Sequence, residues 1–276
     1  MNYPGGKGSC FRQLINLMPP HDVYIETHLG GGNILERKKP ARSRNIGIDV
    51  DRSLIAEWSE RRVRLPFALE LHCGDAVEFL RAFPFKGGEL VYSDPPYLHS
   101  TRRTLDLYRH EYSDAQHFEL LETLVRLPCL VMVSGYESSL YWSVLERRHG
   151  WRCVLVPNTT RRGRVVERVW CNFPDVDHRH DCRYVGENFR ERERIKRKRN
   201  RWRAKFKKMG EGERQVVLEA LLELEPTKTA MPPANEENGR VGSRRVNDLG
   251  PTRYCSTTFF DDGIPSPLSS VPAAIA

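Results

Sequence analysis

The sequence lacks long apolar runs, paired cysteines and an apolar leader. No apolar run approaches the roughly 18 residues that a membrane span needs, and residues 1–7 contain no apolar signal core. The seven cysteines are scattered and odd in number, without any Cys-x-x-Cys pair, which argues against a disulfide framework. We therefore expect a cytoplasmic protein in a reducing compartment, with no membrane contact.

The charge balance is basic and the apolar content is modest. Hydrophobic residues make up 39% of the 276 residues, enough for one core but lean for the whole length. The formal net charge is +8, which favours a polyanionic partner, although a basic tail alone gives the same sum. Because the composition changes along the chain, we predict a globular domain over residues 1–175, a basic helical segment over residues 187–225 and a disordered tail over residues 226–276.

One group of metal-binding residue types lies close together in the sequence. It consists of Cys171, His178, His180 and Cys182. Zinc accepts these residue types, but their spacing matches no common ligand pattern, and the intervening aspartates are typical of a polar connector. We therefore expect no bound metal.

Apolar, strand-like runs alternate with helical patterns through the first 175 residues. The predicted strands cover residues 23–26, 45–49, 68–72, 89–92 and 129–133, with a final pair at residues 151–156 and 164–170. Strands that alternate with helices and then close in a hairpin are typical of an α/β fold. The pattern predicts a doubly wound, mostly parallel sheet with an antiparallel terminal hairpin.

The tetrapeptide Asp94-Pro95-Pro96-Tyr97 directly follows the strand predicted at residues 89–92. Two prolines cannot continue a sheet ladder, so they form a stiff loop at the carboxyl end of the strand, where open α/β sheets bind ligands. Such a loop can grip a planar amine, because Asp94 and a proline carbonyl accept its hydrogens while Tyr97 stacks on its ring. The alternative is an ordinary Pro-Pro turn with a surface tyrosine.

A glycine-rich turn follows the first predicted strand. The residues of interest there are Glu26, Gly30, Gly31, Gly32 and Asn33. Glycines at a strand-to-helix turn let a ligand approach the backbone and the helix N-terminus. Asp49 ends the second strand roughly 20 residues later, at the position where an acid binds ribose hydroxyls. The alternative is a tight turn and a helix-capping aspartate.

The opening segment places Gly5, Gly6 and Lys7 ahead of a helical pattern that Ser9 can cap. It does not match a phosphate-binding P-loop, because Lys7 is followed by Gly8 rather than by serine or threonine. The glycine amides and the Lys7 ammonium can instead meet a carboxylate or a nucleic-acid phosphate.

Residues 187–208 are dense in arginine and lysine but keep an apolar stripe at helical spacing. The stripe consists of Ile195, Trp202, Phe206 and Met209, which predicts an amphipathic basic helix. A second helix over residues 213–225 completes a helical hairpin in this prediction. The alternative is a solvated charged face with no partner.

Together these motifs resemble the Dam-type class of DNA adenine-N6 methyltransferases, which use S-adenosylmethionine. The resemblance covers about residues 3 to 173 and rests on the Tyr-Pro-Gly-Gly-Lys opening, the glycine turn and Asp-Pro-Pro-Tyr. It implies a Rossmann-like methyltransferase fold with a C-terminal helical extension. It also implies an enzyme that acts on double-stranded DNA with the target base flipped out of the helix. We expect a monomer or a weak dimer.

The resemblance also implies residue roles. The methionine end of the cofactor is expected beside Tyr3, Lys7, Glu26, His28, Gly30, Gly31, Gly32 and Asn33. Asp49 is expected to hold the ribose. Asp75 is expected to meet the adenine amino group of the cofactor, although an aspartate there more commonly only caps the following helix. The catalytic residues implied are Asp94, Pro95, Pro96 and Tyr97.

The chain departs from the family in two ways. Members usually carry Pro-Phe where this chain has Thr27-His28, and they commonly insert a target-recognition segment that predicted strands and helices leave no room for here. Sequence recognition must then come from elsewhere or be relaxed. The candidate DNA contacts are Arg102, Arg103, Arg161, Arg162, Arg197, Arg201 and Lys205.

Other functions remain open at this point. Related tetrapeptides occur in methyltransferases for ribosomal RNA bases and for protein glutamine, and the aspartate at position 94 argues against glutamine. A non-catalytic nucleic-acid-binding protein with a decayed methyltransferase domain is the alternative from another class. The presence of Glu26, Asp49, Asp94 and Tyr97 weighs against decay.

Overall fold

The computed structural model describes residues 6–101, 109–160 and 163–224, with only the backbone described at residues 159 and 160. Its strands are β1 (Val23–Thr27), β2 (Arg44–Asp49), β3 (Glu70–Cys73), β4 (Glu89–Ser93), β5 (Leu130–Gly135), β6 (Arg152–Thr160) and β7 (Gly163–Cys171). They form one sheet in the order β3-β2-β1-β4-β5-β7-β6. The first five strands are parallel, and β7 is antiparallel to both β5 and β6. The predicted α/β sheet with an antiparallel terminal hairpin is therefore confirmed.

Helices connect the parallel strands and follow the sheet. They are α1 (Phe11–Asn16), α2 (Asn33–Arg37), α3 (Arg52–Arg61), α4 (Ala76–Ala82), α5 (Asp114–Leu124), α6 (Ser139–Tyr141), α7 (Phe189–Lys208) and α8 (Glu211–Glu223). Trp142–Arg148 continues α6 as a π-helix, and short 3₁₀ turns cover Arg62–Arg64, His99–Thr101 and Cys182–Tyr184. Polar residues cap several of these helices: Asp51 caps α3, Asp75 caps α4, and Ser113 forms a capping box on α5.

The core lies in two layers, one on each face of the sheet. Because side chains alternate along a strand, Tyr24 and Tyr92 join one buried cluster, while their neighbours Ile25 and Val91 join the other. Trp58 of α3 is fully buried in the first cluster. All five residues of β4 are buried, as expected of a central strand covered by helices on both faces.

The order of the strands reverses between β1 and β4. These two strands pair in parallel, with Val23 opposite Glu89 and Thr27 opposite Ser93. The segments that leave their carboxyl ends, beginning at His28 and Asp94, therefore start side by side. Ligands of open α/β sheets bind at such a switch point, and the fold thus brings the two predicted motifs together.

Two local predictions are wrong. Ser9 does not cap α1, whose N-cap is Cys10 without a side-chain hydrogen bond; instead Ser9 Oγ bonds Asn158 Oδ1. The terminal hairpin is also longer than predicted, because Asn158 pairs with Val165 within the ladder rather than lying in the loop. The long-range bond between Ser9 and Asn158 explains the first difference, since it uses the side chain that was expected to cap the helix.

The chain divides into two compact units, residues 1–214 and residues 215–276. Beyond the predicted boundary at residue 175, the first unit continues: the Tyr184 ring meets Phe11 edge-on at 5.3 Å, and Asp181 Oδ2 accepts the Lys39 N–H at 2.8 Å. This unit also contains α7. The tail predicted at residues 226–276 lies outside the described residues, and the pairing of the two predicted C-terminal helices stays a prediction. No helix in the described ranges is long and apolar enough to span a bilayer.

Candidate active site

A cavity of about 420 Å³ lies at the carboxyl edge of the sheet. Its lining includes the predicted site residues Lys7, Glu26, His28, Gly30, Gly31, Gly32, Asn33, Asp49, Asp75, Asp94 and Pro96. Pro95 and Tyr97 are buried and are not among the lining residues in the described part of the chain. The predicted contacts Tyr3, Arg102, Arg103, Arg161 and Arg162 lie outside the described residues.

The glycine turn is shaped by a tryptophan that the sequence analysis did not single out. Trp58 Nε1 donates to the Gly30 carbonyl at 2.9 Å, and Gly32 adopts a left-handed φ of 58°. A Cβ at Gly32 would lie 2.2 Å from Cζ2 of Trp58. Glycine is therefore required here both by the backbone conformation and by the closeness of the indole.

The two predicted cofactor acids also have structural roles. Asp49 accepts the backbone N–H groups of Gly30 and Asp51 at 2.9 and 3.0 Å, and burial raises its pKa above the usual value. Asp75 is exposed, and its Oδ1 accepts the Glu78 N–H at 2.9 Å as the cap of α4. Both carboxylates still line the cavity, so their predicted contacts with a ribose and an adenine stay predictions.

Glu26 is a buried carboxyl near the end of β1, just before the glycine turn. Only 4% of it is exposed, and it accepts a 2.8 Å hydrogen bond from the Tyr24 hydroxyl. Burial raises the pKa of Glu26 to about 8, and the nearby ammonium of Lys38 partly offsets this effect. A cationic ligand beside this buried carboxyl would stabilise its ionised form, so that binding of the ligand would release a proton.

His28 occupies the place where the resembled family carries phenylalanine, and it is held in a left-handed conformation with φ 58°. Its ring nitrogens pair with Thr27 Oγ1 at 3.0 Å and with the Tyr112 hydroxyl at 2.9 Å. Burial lowers the pKa of His28 to about 4, so the ring is neutral at pH 7. The departure from Pro-Phe thus comes with a hydrogen-bonding partner, Tyr112, which also lines the cavity.

The tetrapeptide is tied to the opening segment by Lys7. Lys7 is 3% exposed, and its Nζ lies 2.7 Å from Asp94 Oδ1 and 2.6 Å from the Tyr97 hydroxyl. Burial alone would lower the pKa of Lys7, but the carboxylates of Asp94 and Glu167 outweigh it and raise the pKa well above its usual value. Lys7 is therefore a fixed cation within the site, and its contacts there include Asp94 and Tyr97 of the tetrapeptide.

Asp94 lines the cavity together with Lys7, and 19% of its side chain is exposed. Burial raises the pKa of Asp94 to about 6, against the opposing effect of Lys7. Tyr97 is 5% exposed, and its ring packs edge-on against Tyr136 at 4.5 Å. The stacking of Tyr97 on a base stays a prediction, whereas its hydroxyl has a contact that the sequence did not indicate.

Glu167 of β7 was missed as well, although the sequence carries a signal for it. It is 3% exposed and lies 3.5 Å from Lys7 Nζ. In β7, Glu167 is in phase with Val169 and Cys171, both fully buried. A charged residue on the apolar face of a strand is unusual, because burying it is costly unless it is paired.

The basic helix α7 carries the positive charge of the chain. Its 20 residues contain twelve lysines and arginines against two glutamates, a formal charge of +10. Because the whole chain carries +8, everything outside α7 sums to −2. None of its residues is buried, including the predicted contacts Arg197, Arg201 and Lys205. The Trp202 and Phe206 rings stack at 5.6 Å, and Trp202 is 43% exposed.

In the described ranges, no three histidine, cysteine, aspartate or glutamate side chains are grouped so that they could hold a metal ion. Cys171 is buried in β7, and His180 stacks on His21 at 3.8 Å.

No family model matches the chain, and no curated protein matches its sequence. Among solved structures, it is similar to precorrin 8w decarboxylase of Methanobacterium thermoautotrophicum, with 18% identity, 61% of this chain and 91% of that chain covered, and a TM-score of 0.40. It is also similar to TrmN of Thermus thermophilus (16% identity, 58% and 46% covered, TM-score 0.41). A dimethyladenosine transferase of Plasmodium falciparum is similar as well (17% identity, 58% and 60% covered, TM-score 0.38).

Proposed function

We propose that this protein is an S-adenosylmethionine-dependent methyltransferase that methylates the N6 amino group of adenine in double-stranded DNA. The observation that carries the proposal is the position of Asp94: a carboxylate on a stiff Pro-Pro loop, lining the same cavity as the glycine turn. A substrate amine and a small-molecule cofactor can therefore bind in the same cavity. The resemblance of these motifs to Dam-type enzymes supplies the identity of both.

The residues around the cavity suit S-adenosylmethionine. The cavity volume of about 420 Å³ falls within the range of small-molecule sites, about 300–1,000 Å³. The cofactor carries an ammonium and a sulfonium, and Glu26 is a buried carboxyl in the lining whose ionised form such a cation would stabilise. Asp49 lies at the end of the neighbouring strand, where acids bind ribose hydroxyls. We assign the methionine end to Glu26 and the glycine turn, and the nucleoside end to Asp49 and Asp75.

The chemistry then depends on how the chain handles the target amine. S-adenosylmethionine would supply the electrophile, a methyl group on a positively charged sulfur, whose carbon–sulfur bond breaks in the transfer to leave a neutral thioether. The N6 lone pair of adenine is delocalised into the ring and is a poor nucleophile. By accepting both N6 hydrogens, Asp94 and the Pro95 carbonyl favour a tetrahedral nitrogen whose lone pair is available for the new carbon–nitrogen bond. The nitrogen then loses one proton, for which Asp94 is the nearest acceptor in this arrangement.

The partner is proposed from α7. The helix carries a charge of +10 and has no buried residues, which supports binding to the phosphate backbone of a nucleic acid. Such phosphate contacts position a protein without reading bases. The exposed Trp202 beside Phe206 adds an aromatic surface of the kind that stacks on bases. These features fit RNA as well as DNA, so an RNA-base methyltransferase is the second candidate.

A transfer assay tests the proposal. The full chain is incubated with methyl-labelled S-adenosylmethionine and, separately, with duplex DNA, single-stranded DNA, RNA and a control protein. We expect label in duplex DNA, with none transferred by Asp94→Ala and undiminished transfer by Asp114→Ala, an exposed residue in the first turn of α5. Label in RNA alone would establish the second candidate. Nucleic-acid binding without any transfer would favour a non-catalytic binding protein.

A further inference from the structure

We infer that Glu167 is a positioning residue for the proposed reaction: it fixes the ammonium of Lys7 and offsets its charge, so that Asp94 remains an effective acceptor for the target amine. The inference rests on the proposed function for its catalytic consequence, while the cluster itself rests on geometry alone. Glu167 lies on the terminal hairpin, which none of the predicted motifs includes.

Both oxygens of Glu167 are held. Oε1 accepts a 2.6 Å hydrogen bond from Asn158 Nδ2, and Oε2 lies 3.5 Å from Lys7 Nζ. Asn158 is itself 7% exposed and bonds Ser9 Oγ. The β6–β7 hairpin and the segment containing Lys7 and Ser9 are thus joined around one buried carboxylate. This arrangement leaves the carboxylate little freedom to turn away from Lys7.

The charges of the cluster explain why a second carboxylate is present. Lys7 lies closer to Asp94, at 2.7 Å, than to Glu167, at 3.5 Å. Lys7 and Asp94 alone would form a neutral pair, and a neutral pair attracts an amine weakly as it becomes cationic during methylation. With Glu167 ionised, the three groups carry a net charge of −1. Preorganised charge of this sign stabilises positive charge that develops on the nitrogen.

The charge of Glu167 changes the pKa of Asp94, and the direction of this change can be measured. Burial raises the pKa of Asp94 to about 6, Lys7 lowers it, and Glu167 raises it. The titratable groups that interact electrostatically with Asp94 besides Glu167 include Lys7, Cys10, Tyr24, Glu26, Tyr92, Tyr97, Tyr136 and Tyr141. A protonated Asp94 can neither take the departing proton nor offset the positive charge on the nitrogen, so the transfer rate falls as the pH drops through its pKa. Removing the charge of Glu167 lowers that pKa and moves the acid limb of the rate profile to lower pH.

The test compares Glu167→Gln with Glu137→Gln. Glu137 is a matched control, because it is 81% exposed and pairs with Arg168 at 2.8 Å. In Glu167→Gln we expect the acid limb of kcat to move to lower pH and the plateau to fall by about 10- to 100-fold, the scale of one hydrogen bond to a charged group. Cofactor Kd stays unchanged. Glu137→Gln keeps the wild-type profile. An acid limb that does not move in Glu167→Gln would overturn the inference.

A second readout needs no methyl transfer. In full-length protein with ¹³C-labelled carboxyl groups, the NMR titration of Asp94 should have its midpoint near pH 6 and move to lower pH in Glu167→Gln. A midpoint for Asp94 that stays in place in Glu167→Gln would overturn the inference. If the wild type transfers no methyl group to any nucleic acid, the proposed function is wrong. The NMR titration then still tests whether Glu167 acts on the pKa of Asp94.

Discussion

The Gly32→Ala substitution tests how the glycine turn is built. The added Cβ would lie 2.2 Å from Cζ2 and 2.6 Å from Cη2 of Trp58. The indole cannot move aside freely, because it is fully buried and its Nε1 is bonded to the Gly30 carbonyl. Overpacking costs about 1–3 kcal/mol and a left-handed alanine about 1–2 kcal/mol, so we expect a loss of about 2–5 kcal/mol in the free energy of unfolding.

Gly150→Ala separates these two costs. Gly150 has a similar φ of 65°, but nothing lies within 4 Å of an added Cβ. This variant should therefore lose only the backbone component, about 1–2 kcal/mol. Urea unfolding of the full-length variants, followed by circular dichroism, gives both values, provided that the m-values agree. Equal losses in the two variants would refute the reasoning, because the closeness of Trp58 would then cost nothing.

Three further predictions concern the proposed reaction. Asp94→Ala should abolish methyl transfer and leave cofactor affinity, measured by calorimetry, within a few fold of wild type; an equal loss of both would count against its role with the amine. Tyr97→Phe removes one 2.6 Å hydrogen bond and should lower single-turnover rates by about tenfold. Tyr97→Ala should also lose roughly 1–3 kcal/mol of base stacking, and equal damage by both changes would argue against stacking. Reversing the charges of Arg197, Arg201 and Lys205 should flatten the slope of log affinity against log salt by about 0.9 for each phosphate that is no longer neutralised. The methylated sequence should not change. An unchanged slope, measured by fluorescence anisotropy, would mean that α7 is a solvated face without a nucleic-acid partner.

The sequence was sufficient for the parts of the fold and site that depend on local patterns. Strand ends, the glycine turn and the Pro-Pro loop are set by consecutive residues, and the parallel sheet then brings Gly30 and Asp94 to one edge. The capping of α4 by Asp75 follows the same local rule. These features could be predicted because their physical cause lies within a few residues.

The rest of the site depends on contacts between distant segments, and no local pattern specifies them. Lys7 was expected at a cofactor or a phosphate, but its pairing with Asp94 joins residues 87 positions apart. Trp58 reaches the glycine turn from α3, and Tyr112 reaches His28 across 84 positions. Such pairings follow from how helices and loops pack on the sheet, which periodicity does not determine.

The most direct test of the account is the identity of the methylated nucleoside. Duplex DNA is incubated with the full-length protein and S-adenosylmethionine carrying a deuterated methyl group, digested to nucleosides and analysed by mass spectrometry. The account predicts deuterated N6-methyldeoxyadenosine, formed by the wild type and absent with Asp94→Ala. Label on another base, on RNA alone, or on N6 with undiminished yield from Asp94→Ala would contradict it.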